Sequence, residues 1–223
     1  MLLDVFLSEF LGTMFLILLG VGVVATNLLT KSKGKGGGWL LINFGWGLAV
    51  FIGVYVAYKT GGHLNPAVTF GMIAAGKAEF MPGIPINAAT TCTYVVAQFL
   101  GAIVGAILAW AAFKQHYDEH EDQGEILGTF ATGPAIRSYG WNLVTETIAT
   151  FVLAAWVLLS GYTQSGLGPL GVAMVIVSIG ASLGGPTGYA INPARDLGPR
   201  IAHAILPIKG KGGSDWGYSW VPV

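Results

Sequence analysis

Cysteine occurs once in 223 residues, at Cys92, so the chain can form no internal disulfide and offers no Cys/His cluster for zinc. Charge is scarce as well. Asp, Glu, Lys and Arg together make up 10% of the residues, where a soluble domain usually carries about 25%. The 11 basic and 11 acidic residues cancel, which leaves no basic surface for nucleic acid. No nucleophile–base arrangement emerges, since His116 and His120 lie in an acidic stretch without a partner pattern. The expectation is therefore of a protein that is not an enzyme and uses no metal, redox centre or other cofactor.

What the chain has instead is apolar residues, 53% of the total, and 34 glycines. This composition points to an all-α membrane protein. Apolar spans fall at about 5–29, 39–58, 86–112, 141–162 and 167–184. The first has no basic residue before it and no small-residue cleavage site, so it is read as a retained transmembrane helix rather than a signal peptide. Two shorter pieces, about 66–75 and 193–206, each open on the proline of an Asn-Pro-Ala triplet. At 1.5 Å rise per residue they are too short for the ~30 Å hydrocarbon core and read as half-helices.

Ser8–Leu16 resembles Thr145–Leu153, and each of these blocks opens a long helix that is followed by a second span and then an Asn-Pro-Ala half-helix. The chain thus divides into a first repeat (1–112), an acidic connecting loop (113–140) and a second repeat (141–223) within one domain. Three spans per half place the halves in opposite orientations, an inverted repeat. Trp216–Val223 reads as the opening of a further span, so a sixth helix largely absent from this chain is expected in preference to a five-helix protein. The acids of the connecting loop (Asp118, Glu119, Glu121, Asp122 and Glu125) are read as a solvated face.

Backbone amides at membrane depth must be satisfied internally or line a wet cavity. A half-helix that starts at the midplane leaves its first N–H groups free and carries partial positive charge there. Asn suits the N-cap and Pro the first helical position, and Ala lets two such turns approach. A single Asn-Pro is a common turn, but two copies at equivalent places, Asn65-Pro66-Ala67 and Asn192-Pro193-Ala194, form a pattern. Paired, they would set two Asn amides beside a pore as donors. The helix ends would oppose protons and cations.

The segments Gly61–Val68 and Gly188–Asp196 resemble the two signature loops of the aquaporin family (the major intrinsic proteins), and the resemblance runs over nearly the whole chain. It implies an aquaporin-like fold of six tilted helices and two half-helices, a multi-pass place in the cell membrane with cytoplasmic termini, and a homotetramer with one pore per subunit. Counting Lys and Arg alone argues for the opposite orientation, because only Lys59 and Lys77 would then lie inside. Asp196 after Arg195, together with Arg200, resembles the glycerol-conducting branch, the aquaglyceroporins. The resemblance places the outer selectivity filter on Trp46, Gly180, Tyr189 and Arg195.

The chemistry of those four residues suits a polyol. Gly180 stands where water-selective relatives carry His, and widens the opening; two aromatic rings can hold a carbon edge. Arg195 donates from a fixed fork without accepting a proton. The Tyr189 hydroxyl replaces the commoner Phe, and adds a contact or tightens the opening. Blander readings stand beside these: Trp46 and Tyr189 as interface aromatics, Gly180 as a packing glycine like Gly101 and Gly105. A cation at the depth of Arg195 is costly and usually functional. His63 resembles a pore-lining position, with a structural role equally open. Glu9 and Glu146 are repeat-equivalent intramembrane carboxylates, and the resemblance favours bracing of the re-entrant backbone over a proton relay.

The functional expectation is a passive channel for glycerol and water that excludes ions and protons. The alternatives are the same fold tuned to urea, protonated lactic acid or hydrogen peroxide, and a proton-coupled transporter using Glu9 or Glu146.

Overall fold

Helix boundaries follow local chemistry in a computed structural model that describes residues 1–223. Helix α1 (Leu2–Leu28), α2 (Gly38–Val56), α4 (Ala88–Ala112) and α7 (Tyr139–Leu159, with a following 3₁₀ turn to Tyr162) are long and apolar enough to cross a membrane. Between α2 and α4 lies α3 (Pro66–Ala74), and the second half ends with α8 (Pro169–Leu183) and α9 (Pro193–Ile205). Asn87 starts α4 with a reciprocal capping box, its side chain taking the Thr90 N–H while Thr90 Oγ1 takes the Asn87 N–H. Pro169 starts α8 after Gly168, whose φ of 49° suits glycine.

The two half-helices expected from the sequence are present, at 9 and 13 residues. The full span expected over 167–184 is shorter than read: α8 has 15 residues, about 22 Å at 1.5 Å per residue. Residues 206–223 form turns rather than a regular helix, with Tyr218 and Val221 buried.

Small residues set the helix spacing. A Cβ added at Gly12 would lie 2.8 Å from the Gly53 carbonyl oxygen, and one at Gly53 would lie 2.7 Å from the Gly12 carbonyl, so α1 and α2 meet backbone to backbone. Gly101 and Gly105 of α4 do the same against the carbonyls of Phe10 and Met14 on α1. Without a hydrophobic drive between helices in lipid, such close contact supplies the packing energy. Many of the large apolar side chains that remain exposed, among them Leu40 at 63% and Phe151 at 69%, sit on the membrane-length helices. Exposed apolar area on that scale marks a lipid-facing surface, and the chain is a multi-pass membrane protein.

The acids of the connecting loop lie at the surface, but the loop that carries them is not all surface. It contains α5 (Lys114–Glu119) and α6 (Gln123–Phe130), and it buries Tyr117, Ile126 and Phe130 completely. His116 and His120, without a visible partner pattern in the sequence, both engage Thr30: His116 Nδ1 lies 3.0 Å from the carbonyl oxygen and His120 Nδ1 3.1 Å from the backbone nitrogen. The acids are the outer face only. Lys31 pairs with Glu119 at 2.7 Å there and holds its carboxyl below the ordinary value. The loop is a cap packed on the helix ends, and its underside reaches the site described next. A short hairpin, β1 (Glu79–Met81) with β2 (Ile84–Pro85), stands at the opposite end.

Candidate functional site

The two Asn-Pro-Ala turns meet inside the bundle. Asn65 caps α3, its Oδ1 accepting from Ala67 N at 2.8 Å; Asn192 caps α9, accepting from Ala194 N at 3.0 Å and Arg195 N at 3.2 Å. With Oδ1 spent on the cap, each amide nitrogen points across. Asn65 Nδ2 donates to the Ile191 carbonyl at 2.7 Å and Asn192 Nδ2 to the Leu64 carbonyl at 2.9 Å. The halves are therefore cross-tied by a reciprocal pair of bonds. An amide NH₂ has two hydrogens, so each Asn keeps one donor, and both residues line the central cavity.

The approach to each turn is held from behind. Glu9 accepts from His63 N at 2.9 Å and Leu64 N at 2.7 Å; Glu146 accepts from Ala190 N at 3.1 Å and Ile191 N at 3.0 Å. Gln98 adds a third donor to Glu9 at 2.8 Å. A trans peptide points its N–H and C=O in opposite directions. Hence the carbonyls of Gly62, His63, Tyr189 and Ala190 turn away from the carboxylates, and all four residues line the cavity. Leu64 (φ 55°) and Ile191 (φ 43°) take the left-handed conformation at equivalent places to allow this run.

The cavity measures about 620 Å³ and passes from Trp46, Tyr189 and Arg195 at one end, between Asn65 and Asn192, to His63, Tyr58 and Trp156 at the other; 18 of its 28 lining residues are hydrophobic. At the first end the Arg195 guanidinium carbon lies 3.9 Å from the Trp46 ring centroid, and Nη1 donates to the Phe130 carbonyl at 3.1 Å. No carboxylate pairs with Arg195 directly. Its neighbour Asp196 is engaged by Arg200, with Nε at 2.8 Å, and by Thr132 N and Oγ1, each at 2.7 Å. Arg200 in turn donates to the carbonyls of Thr132 and Ser214, both at 2.8 Å, with the ion pair fully buried. Asp196 and Arg200 thus sit behind the cavity wall, fastening the loop that holds Arg195.

Of the four residues expected to form the filter, Trp46, Tyr189 and Arg195 line the cavity together and Gly180 does not. A Cβ on Gly180 would collide with Asn43 Oδ1 and come within 2.6 Å of Tyr189 Cζ. The space a side chain at 180 would fill is taken by the Tyr189 ring, and the glycine lets that ring lie back against α8. At the inner end His63 is stacked on Tyr94 (ring centroids 4.6 Å apart) and edge-on to Phe80, with Nδ1 3.1 Å from Thr69 Oγ1.

Sequence reading passed over several contributors. Phe130 acts through its carbonyl, which leaves no side-chain signal. Thr132 lies in the acidic connecting loop, where no local pattern marks it. Asn43 and Gln98 were detectable, since a lone amide in an apolar span needs a partner.

Residues 2–223 match the family described as Major intrinsic protein. The chain is 52% identical over 220 residues to glycerol uptake facilitator protein 3 of Lactiplantibacillus plantarum, covering 97% of this chain and 88% of that protein. It is 53% identical over 226 residues to a probable glycerol uptake facilitator protein of Thermotoga maritima, covering 99% and 92%. Among solved structures, the aquaglyceroporin from Plasmodium falciparum superposes with a TM-score of 0.78 at 30% identity, covering 100% of this chain and 89% of that one.

Proposed function

Because the chain belongs to the major intrinsic protein family, we propose that it is a passive membrane channel for glycerol and water that excludes ions and protons. One observation carries the reading: a single cavity of about 620 Å³ joins the Arg195 end to the His63 end through the two Asn residues. Its chemistry is divided. Aromatic and aliphatic side chains give a polyol's carbon edge an apolar wall, while Arg195, the two Asn donors and the turned-in carbonyls serve its hydroxyls in succession. The glycerol uptake facilitators at about half identity support the same solute.

Ion exclusion has two sources. The N-termini of α3 and α9 converge on the cavity, and helix N-termini carry partial positive charge. Arg195 adds a full charge with no direct counter-ion. Together they raise the energy of a cation in the pore. We assign Glu9 and Glu146 to bracing, supported by backbone N–H groups on both oxygens of each carboxylate. His63 is assigned to the inner pore wall. A cytoplasmic N-terminus and a homotetramer belong to this proposal by family resemblance.

Stopped-flow light scattering on proteoliposomes tests the reading. Glycerol flux above protein-free vesicles, non-saturating and indifferent to a pH gradient, is expected, with urea, lactic acid and water run alongside. Accumulation of glycerol against its gradient when a proton gradient is applied would establish a coupled transporter instead.

A further inference from the structure

The position of the Tyr189 ring in the outer filter depends on residues outside the cavity wall. Gly180 of α8 and Gly184, the residue that caps its C-terminus, form its floor: a Cβ at either would strike a ring atom. The Trp39 ring meets it edge-on, centroids 5.8 Å apart at 84°, and is itself pinned by Nε1 donating to the Gly180 carbonyl at 3.0 Å. At the hydroxyl end stands Asn43. Trp39, Asn43 and Trp46 follow at i, i+4 and i+7 on α2, so one helix face carries the clamp, the amide and the filter tryptophan.

Asn43 is completely buried, and neither its Oδ1 nor its Nδ2 has a hydrogen-bond partner; the buried Tyr189 hydroxyl has none either. Each such group left unpaired costs about 1–3 kcal/mol. Both residues press on the same point, the place a Gly180 side chain would take. A hydroxyl both donates and accepts, so either end of the amide suits it. Asn43 is absent from the cavity lining and so does not touch a permeant there.

We infer that Asn43 is a positioning residue of the outer filter: on rotation of its side chain the amide takes the unpartnered Tyr189 hydroxyl across Gly180 as its partner and holds the ring back against α8, keeping the opening beside Trp46 and Arg195 wide enough for a polyol. The polar residue on α2 and the hydroxyl on the loop work as a pair. Removal of either lets the ring swing towards the pore, where it narrows passage for glycerol more than for water. This inference rests on the channel reading above only for its flux readout.

The test is a double-mutant cycle of Asn43→Leu, close in shape to Asn, and Tyr189→Phe, in the full chain reconstituted in proteoliposomes. Asn43→Leu alone should lower the glycerol-to-water permeability ratio by about two- to tenfold, the range of one net hydrogen bond. In the Tyr189→Phe background the same change should have little further effect, and Asn43→Gln or Asn43→Ser should restore part of the ratio. A purely structural Asn43 would give the same loss in both backgrounds, and that result would overturn the inference. The cycle is also read as the unfolding midpoint in detergent, which needs no permeant. If wild-type protein passes no glycerol, the channel reading fails while coupling in the midpoints still upholds the pair. Additive midpoints in that case sink the pair as well.

Discussion

Replacing Asp196 by Ala should be among the most damaging single changes available outside the pore lining. Asp196 is fully buried and receives four hydrogen bonds: Arg200 Nε at 2.8 Å and Nη2 at 3.1 Å, and Thr132 N and Oγ1 at 2.7 Å each. Its loss strands the Arg200 guanidinium, also fully buried, among carbonyls with no anion. Breaking a buried pair in this way costs about 3–5 kcal/mol, whereas an exposed pair such as Lys31–Glu119 is screened by water and contributes little. Burial, not pairing as such, decides the difference. The loss should also reach the filter, because Thr132 lies two residues from Phe130, whose carbonyl holds Arg195. Unfolding in mixed detergent, followed by tryptophan fluorescence, measures the stability, and stopped-flow measures the flux. The double variant Asp196→Leu, Arg200→Met removes both charges and should lose less than the single one, since no ion is left orphaned. A single variant within about 1 kcal/mol of wild type, or a double variant no better than the single, would refute the account of this pair as a buried ion pair holding the loop.

Gly180→Ala should cut glycerol flux several-fold more than water flux, because its Cβ takes the place of the Tyr189 ring; Tyr189→Ala in the same chain should restore part of the glycerol flux, and equal loss of both solutes would contradict the geometry. Glu146→Ala leaves the Ala190 and Ile191 N–H groups without acceptors, at about 1–3 kcal/mol for each buried donor; yield of folded protein and flux should fall together, and a normally folded, fully conducting variant would count against bracing. Lys31 donates to Glu119 and lowers its pKa, so that contribution is complete above the ordinary carboxylate range and fades as pH falls through the lowered value. The small difference in unfolding temperature between Lys31→Ala and wild type should vanish in acid; a difference that persists there would mean that charge is not its source.

The pore was legible in the chain because its parts are local. Asn-Pro-Ala is a cap, a first-turn proline and a small residue in one tripeptide, and the same signal occurs at both half-helices. Apolar run lengths marked the spans for the same reason, although α8 proved shorter than its apolar stretch. Hidden in the sequence were the contacts that bring remote segments together. The loop over 113–140 reads as acidic and wet, yet Phe130 and Thr132 on its underside hold Arg195 and Asp196.

Gly180 shows the division most clearly. Sequence alone determined that no side chain stands at that position, which a resemblance could turn into a wide filter. Only the tertiary structure decided what fills the place: the Tyr189 ring, nine residues on, with Asn43 of another helix at its tip. A missing side chain is a local fact. Which neighbour occupies the vacated volume depends on how α2, α8 and the second Asn-Pro-Ala loop pack, and no window of adjacent residues contains that information.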